Sequence, residues 1–420
     1  MKLFTSLMLS KSFYFLLVYS FAICAQDVSS DLNLQETSWQ QGLQKIWRDD
    51  IQFHGFLSQG LFSTSGNNVY GHSKDSVSAG LTEVGLNVSY QALNNLSFAV
   101  QGLYRRAGES TGDWGDVSLD FAFMDLTFLN FQEGRLGIRG GRVKNPWGLY
   151  NETRDVAFTH PTIFLPLTYF DRSRTLFVSM DGGQFYADYN SAIGDFSFKF
   201  NYGLMQADDP ELLQAIVLNP NVPGHLKSKP SFITQLNYEI MGGAFVFALS
   251  YADVNLEYVE QGSFDPYTGL EVNIDAFIFS AQYNGEKFSF ASEYSLHWNN
   301  TSGIAHIMPD DSPVSEMWYV QAGYRILDNL QVTLRYDSIV QDTNDKKGGT
   351  FHANTGLPAH LMFTQDIAVG LRWDITPAWM LRAEYQRVHG ASTVSLLDNP
   401  DLMGLALDWN IYSLQLAFRF

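Results

Sequence analysis

The sequence predicts an all-β fold, a closed antiparallel transmembrane β-barrel of about 16 strands, and three observations point to it. From Ile51 to the C-terminus apolar and polar residues alternate with a period of two. Many alternating segments run to nine or ten residues, longer than the usual strand of a soluble sandwich and long enough for a tilted strand to cross a bilayer. The connections alternate between short turns and long loops, which gives a barrel one turn end and one loop end.

In chain order, residues 1–25 read as a signal peptide: Lys2 and Lys11 supply positive charge, Phe13 to Ile23 an apolar core, and Ala25 a small residue before Gln26. Cys24, the single cysteine, follows bulky Ile23 rather than a small residue, which argues against lipid attachment. Cleavage after Ala25 leaves no thiol for disulfides, metal ligation or nucleophilic chemistry. It also removes Lys2 and Lys11, so 24 basic residues oppose 44 acidic ones and the mature charge is −20, the wrong sign for a nucleic-acid partner. Residues 26–50 form a short periplasmic extension, either frayed or helical through Leu32, Leu34, Trp39, Leu43, Ile46 and Trp47.

Residues 51–420 form the barrel. Its clearest strands are Val84 to Tyr90, Leu96 to Tyr104, Phe196 to Leu204, Phe245 to Tyr251, Leu330 to Tyr336 and Ile367 to Trp373. Within Phe196 to Tyr202 the aromatic residues take one face while Ser197, Lys199 and Asn201 take the other. Phe198, Phe247, Leu334 and Leu416 are expected to face lipid. Turns fall at Asn94-Asn95, Asn130 to Gly134, Asn190 to Gly194, Met241 to Gly243, Asn284-Gly285, Leu327 to Asn329 and Ile375 to Pro377. Long loops fall at Ser63–Ala79, Arg106–Asp116, Arg142–Thr175, Gln206–Pro230, Ala252–Gly269, Asn299–Pro313, Ser338–Pro358 and His389–Met403. Seven turns and eight loops imply 16 strands, and closure leaves no open edge in hydrocarbon.

The loop Arg142 to Arg174 reverses the sign of the chain: Arg142, Lys144, Arg154, Arg172 and Arg174 against Glu152, Asp155 and Asp171 leave +2. Pro146, Pro161 and Pro166 exclude a central strand, and Trp147, Leu149, Tyr150, Phe158, Ile163, Phe164 and Leu165 give it apolar side chains with which to pack. If the apolar face meets lipid, basic candidates for the lumen wall are Arg105, Arg139, Lys199, Lys287, Arg325, Arg335, Arg372, Arg382 and Arg419. Acidic ones are Asp120, Asp125, Glu239, Glu293, Asp337, Asp366, Asp374 and Glu384.

The last strand places Tyr412, Leu414, Leu416, Phe418 and the terminal Phe420 on one face. With the signal peptide and the alternating strands, this ending resembles the Gram-negative outer-membrane porins over nearly the whole mature chain. The run Gly141 to Phe158 resembles the phosphate-selective and related substrate-selective porins, from which no binding site is carried over. The resemblance implies that the third loop, between strands five and six, folds into the lumen as a constriction. It also implies a homotrimer in the outer membrane, contact with lipid and lipopolysaccharide, and recognition of the strand ending in Phe420 by the barrel-assembly machinery. The constriction and solute path would then comprise Arg139, Arg142, Lys144, Arg154, Asp155, Asp171, Arg172 and Arg174, with Arg105, Lys199, Arg325, Arg335, Arg372 and Arg382 along the wall. Either these bases act on passing solutes, giving a weak to moderate preference for small anions, or they pair with carboxylates and fix the loop.

Asp208, Asp209, Glu211, Asp253, Glu257, Glu260, Asp265, Asp310, Asp311 and Glu316 make the outer loops acidic, either as a solvated surface or as divalent-ion sites bridging to lipopolysaccharide; no metal ligand is assigned. HExxH, GxSxG and P-loop motifs are absent, and no cofactor or enzymatic activity is expected. The alternatives are a barrel hydrolase, for which Glu293, Ser295 and His297 on one predicted wet face are the candidates, and a structural or adhesive barrel without an open channel.

Overall fold

The computed structural model describes residues 50–420, apart from 113, 220–221, 263–264 and 304–311. The expected signal peptide, the extension as far as residue 49, and Asp310 and Asp311 lie outside the described residues. The strands are β1 (Ile51–Thr64), β2 (Ser78–Leu93), β3 (Leu96–Ala107), β4 (Asp116–Phe131), β5 (Gly134–Lys144), β6 (Ser179–Ser191), β7 (Gly194–Met205), β8 (His225–Ser228) and β9 (Ser231–Ile240). They continue with β10 (Phe245–Val259), β11 (Glu271–Asn284), β12 (Phe288–Ser302), β13 (Val314–Leu327), β14 (Leu330–Val340), β15 (Phe363–Asp374), β16 (Trp379–Gly390) and β17 (Asp408–Arg419).

Each strand is antiparallel to its sequence neighbour around the wall, and β1 pairs with both β2 and β17, which closes the sheet. β8 and β9 are two parts of one wall strand. Both pair with β10, but Ser228 lies opposite Leu256 while Phe232 lies opposite Asp253, a one-residue change of register across Lys229 and Pro230. Proline has no N–H for the ladder, so the break falls where a bulge costs least. The seventeen segments therefore make a 16-stranded barrel, and all seven expected turns join the strands they were expected to join. Two outer loops begin later than expected. Asp253, Asn255 and Glu257 keep ladder partners Asp275, Asn273 and Glu271, so β10 runs to Val259, and β12 runs to Ser302.

Phe198 is 36% exposed, Phe247 37%, Leu416 41% and Leu334 56%, whereas Arg335 and Arg382 are each 1% exposed. That division fixes the register, because a slip of one residue would exchange the faces. Aromatic cross-strand pairs gird the turn end: Phe196 with Tyr238 at 4.5 Å between ring centroids, Trp379 with Phe418 at 4.7 Å and Phe288 with Tyr324 at 4.9 Å. Toward the loop end Trp318 meets Tyr336, and Tyr385 meets Tyr412, both at 5.3 Å. Two such girdles flanking an apolar band are what a bilayer-spanning barrel presents to its interfaces. The closing strand is held at its tip, where Phe420 and Gly55 exchange backbone hydrogen bonds of 3.0 and 3.2 Å. A side chain at position 55 would begin 2.5 Å from the Phe420 ring, so glycine leaves room for that ring against the strand.

Candidate constriction and solute path

The loop between β5 and β6, residues 145–178, is the third long loop, and its neck is closed by amides. Asn145 Nδ2 donates to the Phe177 carbonyl at 3.1 Å, and Asn151 Nδ2 donates to the carbonyls of Phe177 at 2.7 Å and Asn145 at 3.0 Å. Beyond the neck the chain crosses the bore, because its hydrogen bonds end on the inner faces of distant strands. Gly148 N donates to Ser250 Oγ on β10, Leu149 N to Glu293 on β12, Leu167 N to Asp337 on β14, and Ile163 N to Glu384 on β16.

Against β5–β7 and β9–β13 the loop packs as a core. Trp147 stacks on Phe177 at 5.4 Å, Tyr150 meets Tyr169 edge-on at 5.8 Å, and these join Met180, Ile233, Val254, Leu256 and Ile278 in one buried cluster. Tyr169 Oη donates to Glu293 at 2.7 Å and accepts from Leu149 N at 2.7 Å, so the buried wall carboxylate Glu293 is engaged by the loop. Gly148 sits at φ +59°, and a Cβ there would fall 2.0 Å from Tyr169 Oη and 2.6 Å from Glu293, so only glycine lets the backbone approach this pair.

The other side of the loop is charged. Lys144 Nζ binds Asp120 at 2.5 Å and Asp155 at 3.1 Å, while Arg174 closes on the other oxygen of Asp155. Arg105 joins Glu83 at 3.1 Å to Asp171 at 2.7 Å, and Arg154 reaches Asp171 at 3.9 Å and donates to the Tyr169 carbonyl at 2.8 Å. Four bases thus face four acids. Lys144, Arg154, Arg174 and wall residue Arg105 are matched by Asp155 and Asp171 of the loop and by Glu83 and Asp120 of the wall, and Glu83 was not among the candidates. Burial pushes the Asp155 carboxyl up, but Arg174, Lys144 and Arg154 together hold it well below the usual range. Burial and neighbouring Arg174 bring Arg154 down to about 10.

The remaining candidates divide. Arg139 is on the inner face with Asp125 at 2.8 Å and Gln184 at 2.9 Å, and Lys199 holds Glu152 at 2.7 Å. Arg335, Arg372 and Arg382 donate to loop carbonyls: Phe164 at 3.0 Å, Phe158 at 3.0 Å, and His160 at 3.0 Å together with Thr162. They fix the loop. Arg325 is exposed at the turn end on the Glu286 carbonyl, Lys287 lies in a turn, and Arg419 covers the Phe158 ring at 4.4 Å. Arg142 does not belong with the constriction. It lies three residues beyond Arg139, hence on the opposite face, where it binds exposed Asp181 at 2.6 Å near Leu204. Glu293, Ser295 and His297 do not act together either: Ser295 Oγ donates to the Phe277 carbonyl, and His297 lies against Trp147 and Phe177 with no hydrogen-bond partner on Nε2 among the described residues.

Between the charged side of the loop and the wall formed by β2, β3 and β14–β17 lies a cavity of about 160 Å³. Its charged lining comprises Arg105, Arg154, Arg172, Arg174, Arg335 and Arg382 against Glu83, Asp155, Asp171, Glu211, Asp366 and Asp398. Arg172, Glu211 and Asp398 come from three different loops, and Glu211 starts the helix Pro210–Val217, capped by Asp209 at 2.9 Å. Burial pushes the Glu211 carboxyl up to about 7.

No protein-family model matches the chain, and no curated protein sequence matches it. Solved structures do. An anion-selective porin from Comamonas acidovorans aligns over 88% of this chain and 98% of its own, with a TM-score of 0.55 at 12% identity. OprB of Pseudomonas putida aligns over 94% and 100%, with a TM-score of 0.54 at 12% identity. The trimer form of OmpT, an outer membrane protein of Vibrio cholerae, aligns over 88% and 99%, with a TM-score of 0.52 at 10% identity. The chain therefore has the 16-stranded barrel fold of the Gram-negative outer-membrane porins.

Proposed function

We propose that the chain is an outer-membrane diffusion channel for small hydrophilic solutes, with a weak preference for anions, and is not an enzyme. The observation that carries this reading is the polar cavity beside the inserted loop, inside a wall whose outer face is an apolar belt. Six bases against six acids argue for weak rather than strong selectivity, since a constriction acts through its net fixed charge. The residual preference comes from Arg172 and Arg382, which among the described residues hydrogen-bond only neutral groups, and from Glu211, whose charge is partial near neutrality. The loop bases that are paired, Lys144, Arg154 and Arg174, together with Arg105 and Arg139, set the shape of the path more than its sign. Assembly as a homotrimer, to which the likeness to the trimer form of OmpT lends support, completes the proposal, together with contact with lipopolysaccharide and use of the strand ending in Phe420 by the assembly machinery. Reconstitution in planar bilayers tests it: stepwise ohmic conductance and a small anion-directed reversal potential across a salt gradient are expected, and an electrically silent folded protein would overturn it.

A further inference from the structure

Four charged atoms lining the cavity are buried and have no hydrogen-bond partner among the described residues: Asp366 Oδ1, Glu211 Oε1, Arg172 Nε and Arg335 Nη2. Buried polar groups in folded proteins are almost always satisfied, so each such atom requires an explanation. Two signs are represented in one space.

Asp366 is the sharper case. It is 2% exposed, and the β14–β15 register sets it directly opposite Asp337. Like charges facing across a ladder are destabilising. Arg335 does not resolve the conflict, because its Nε is committed to Asp337 at 2.5 Å, its Nη1 to Thr162 and the Phe164 carbonyl, and its Nη2 stands 3.9 Å from Glu384. Asp337 and Glu384 also accept loop N–H groups, from Leu167 and Ile163. Three carboxylates thus surround one guanidinium, and two of them hold the loop while Asp366 holds nothing. A desolvated carboxylate in that position needs a positive partner or a proton. Arg172 is the complementary case: Nη1 donates to the Val394 carbonyl at 3.3 Å, and among the described residues no carboxylate lies within ion-pair distance. Glu211, the acid that acts on it electrostatically, has its carboxyl pushed up to about 7 by burial.

We propose that the cavity is a binding subsite for a small zwitterion, with its ammonium group at Asp366 and its carboxylate at Arg172. An ammonium brings three donors to the acidic pocket, and a carboxylate matches the guanidinium fork. A simple anion would bring Asp366 no positive partner, a simple cation would bring Arg172 no anion, and a neutral polyol would bring neither. This inference rests on the diffusion-channel reading for access to the cavity, and it names the solute class favoured there.

The test uses the full mature chain in planar bilayers, with 4-aminobutyrate, butyrate and butylammonium as probes of similar length. 4-Aminobutyrate is expected to interrupt the ionic current at a concentration about tenfold below either singly charged probe, the difference expected from one added charge-assisted hydrogen bond. Asp366→Asn and Arg172→Gln should each remove that advantage, with folding checked by heat-modifiable mobility and Asp366→Ser or Arg172→Met taking the place of the corresponding variant if it does not fold. Equal interruption by butyrate would make this a plain anion site, equal interruption by butylammonium a plain cation site, and no interruption a water-filled one; each overturns the proposal. A channel without conductance removes the diffusion reading instead. In that case calorimetry on the detergent-solubilised protein decides the site, with 4-aminobutyrate binding supporting it and no heat of binding overturning it.

Discussion

One loop makes two different contacts inside the same barrel. Toward β10–β13 it buries Trp147, Tyr150, Tyr169 and Phe177 against an inner wall that is itself apolar, and a single carboxylate, Glu293, is fully hydrogen-bonded. Toward β2, β3 and β14–β17 it meets the wall through guanidinium and carboxylate groups and leaves a cavity. The apolar side excludes water and anchors the loop. The charged side packs less completely: Arg335, Arg382, Asp155 and Asp366 are buried, yet a cavity remains among the twelve charged groups that line it. The packed contact therefore carries stability, and the charged contact lines the proposed path.

The largest effect should come from breaking the packed side. Trp147→Ala removes a buried ring between Phe177 and His297 and is expected to cost about 3–5 kcal/mol in urea unfolding from lipid vesicles. A loss under about 1 kcal/mol, the size of a surface substitution, would show that the anchor lies elsewhere. Tyr169→Phe should follow at roughly 1–3 kcal/mol, since it strips a donor from buried Glu293 and an acceptor from Leu149 N.

Changes on the charged side should move selectivity rather than stability. Asp155→Asn leaves Lys144 and Arg174 without their shared carboxylate and should raise the anion-to-cation permeability ratio roughly twofold, while the double change of Arg154 and Arg172 to Ala should lower it by a similar factor. Unchanged reversal potentials in both would remove these residues from the solute path. A smaller shift is expected from pH alone. With its carboxyl pushed up to about 7, Glu211 carries its negative charge at pH 8 and largely loses it at pH 6, so the balanced cavity gains net positive charge on acidification and anion preference rises. Glu211→Gln should flatten that profile; a fall in anion preference on acidification would contradict the assignment. Smallest of all is Arg142→Ala. The pair with exposed Asp181 sits on the outer face and is worth about 0–1 kcal/mol, so no shift in reversal potential is expected, and a measurable one would place Arg142 back in the lumen.

The sequence by itself determined the barrel. A period of two assigns each residue to one of two faces, and turn chemistry at Asn94-Asn95 or Asn284-Gly285 sets where strands meet, so strand number, closure and the lipid face were legible. The inserted loop was legible from its prolines, aromatic residues and reversed charge. An unused sign of the packed side was also present: Ala276 to Phe279 is apolar at every position, which a strand with a wet inner face would not be. Periodicity gives the face of a residue but not its partner. That Glu83 and Asp120 neutralise the loop bases, that Arg335 and Arg382 serve loop carbonyls, and that Asp366 is left over all depend on contacts between residues far apart in sequence, such as Leu149 with Glu293, 144 positions away. Local alternation fixes the wall one strand at a time. Where the loop crosses it, the balance of buried charge and apolar packing is settled by many strands at once, and only the tertiary structure decided that.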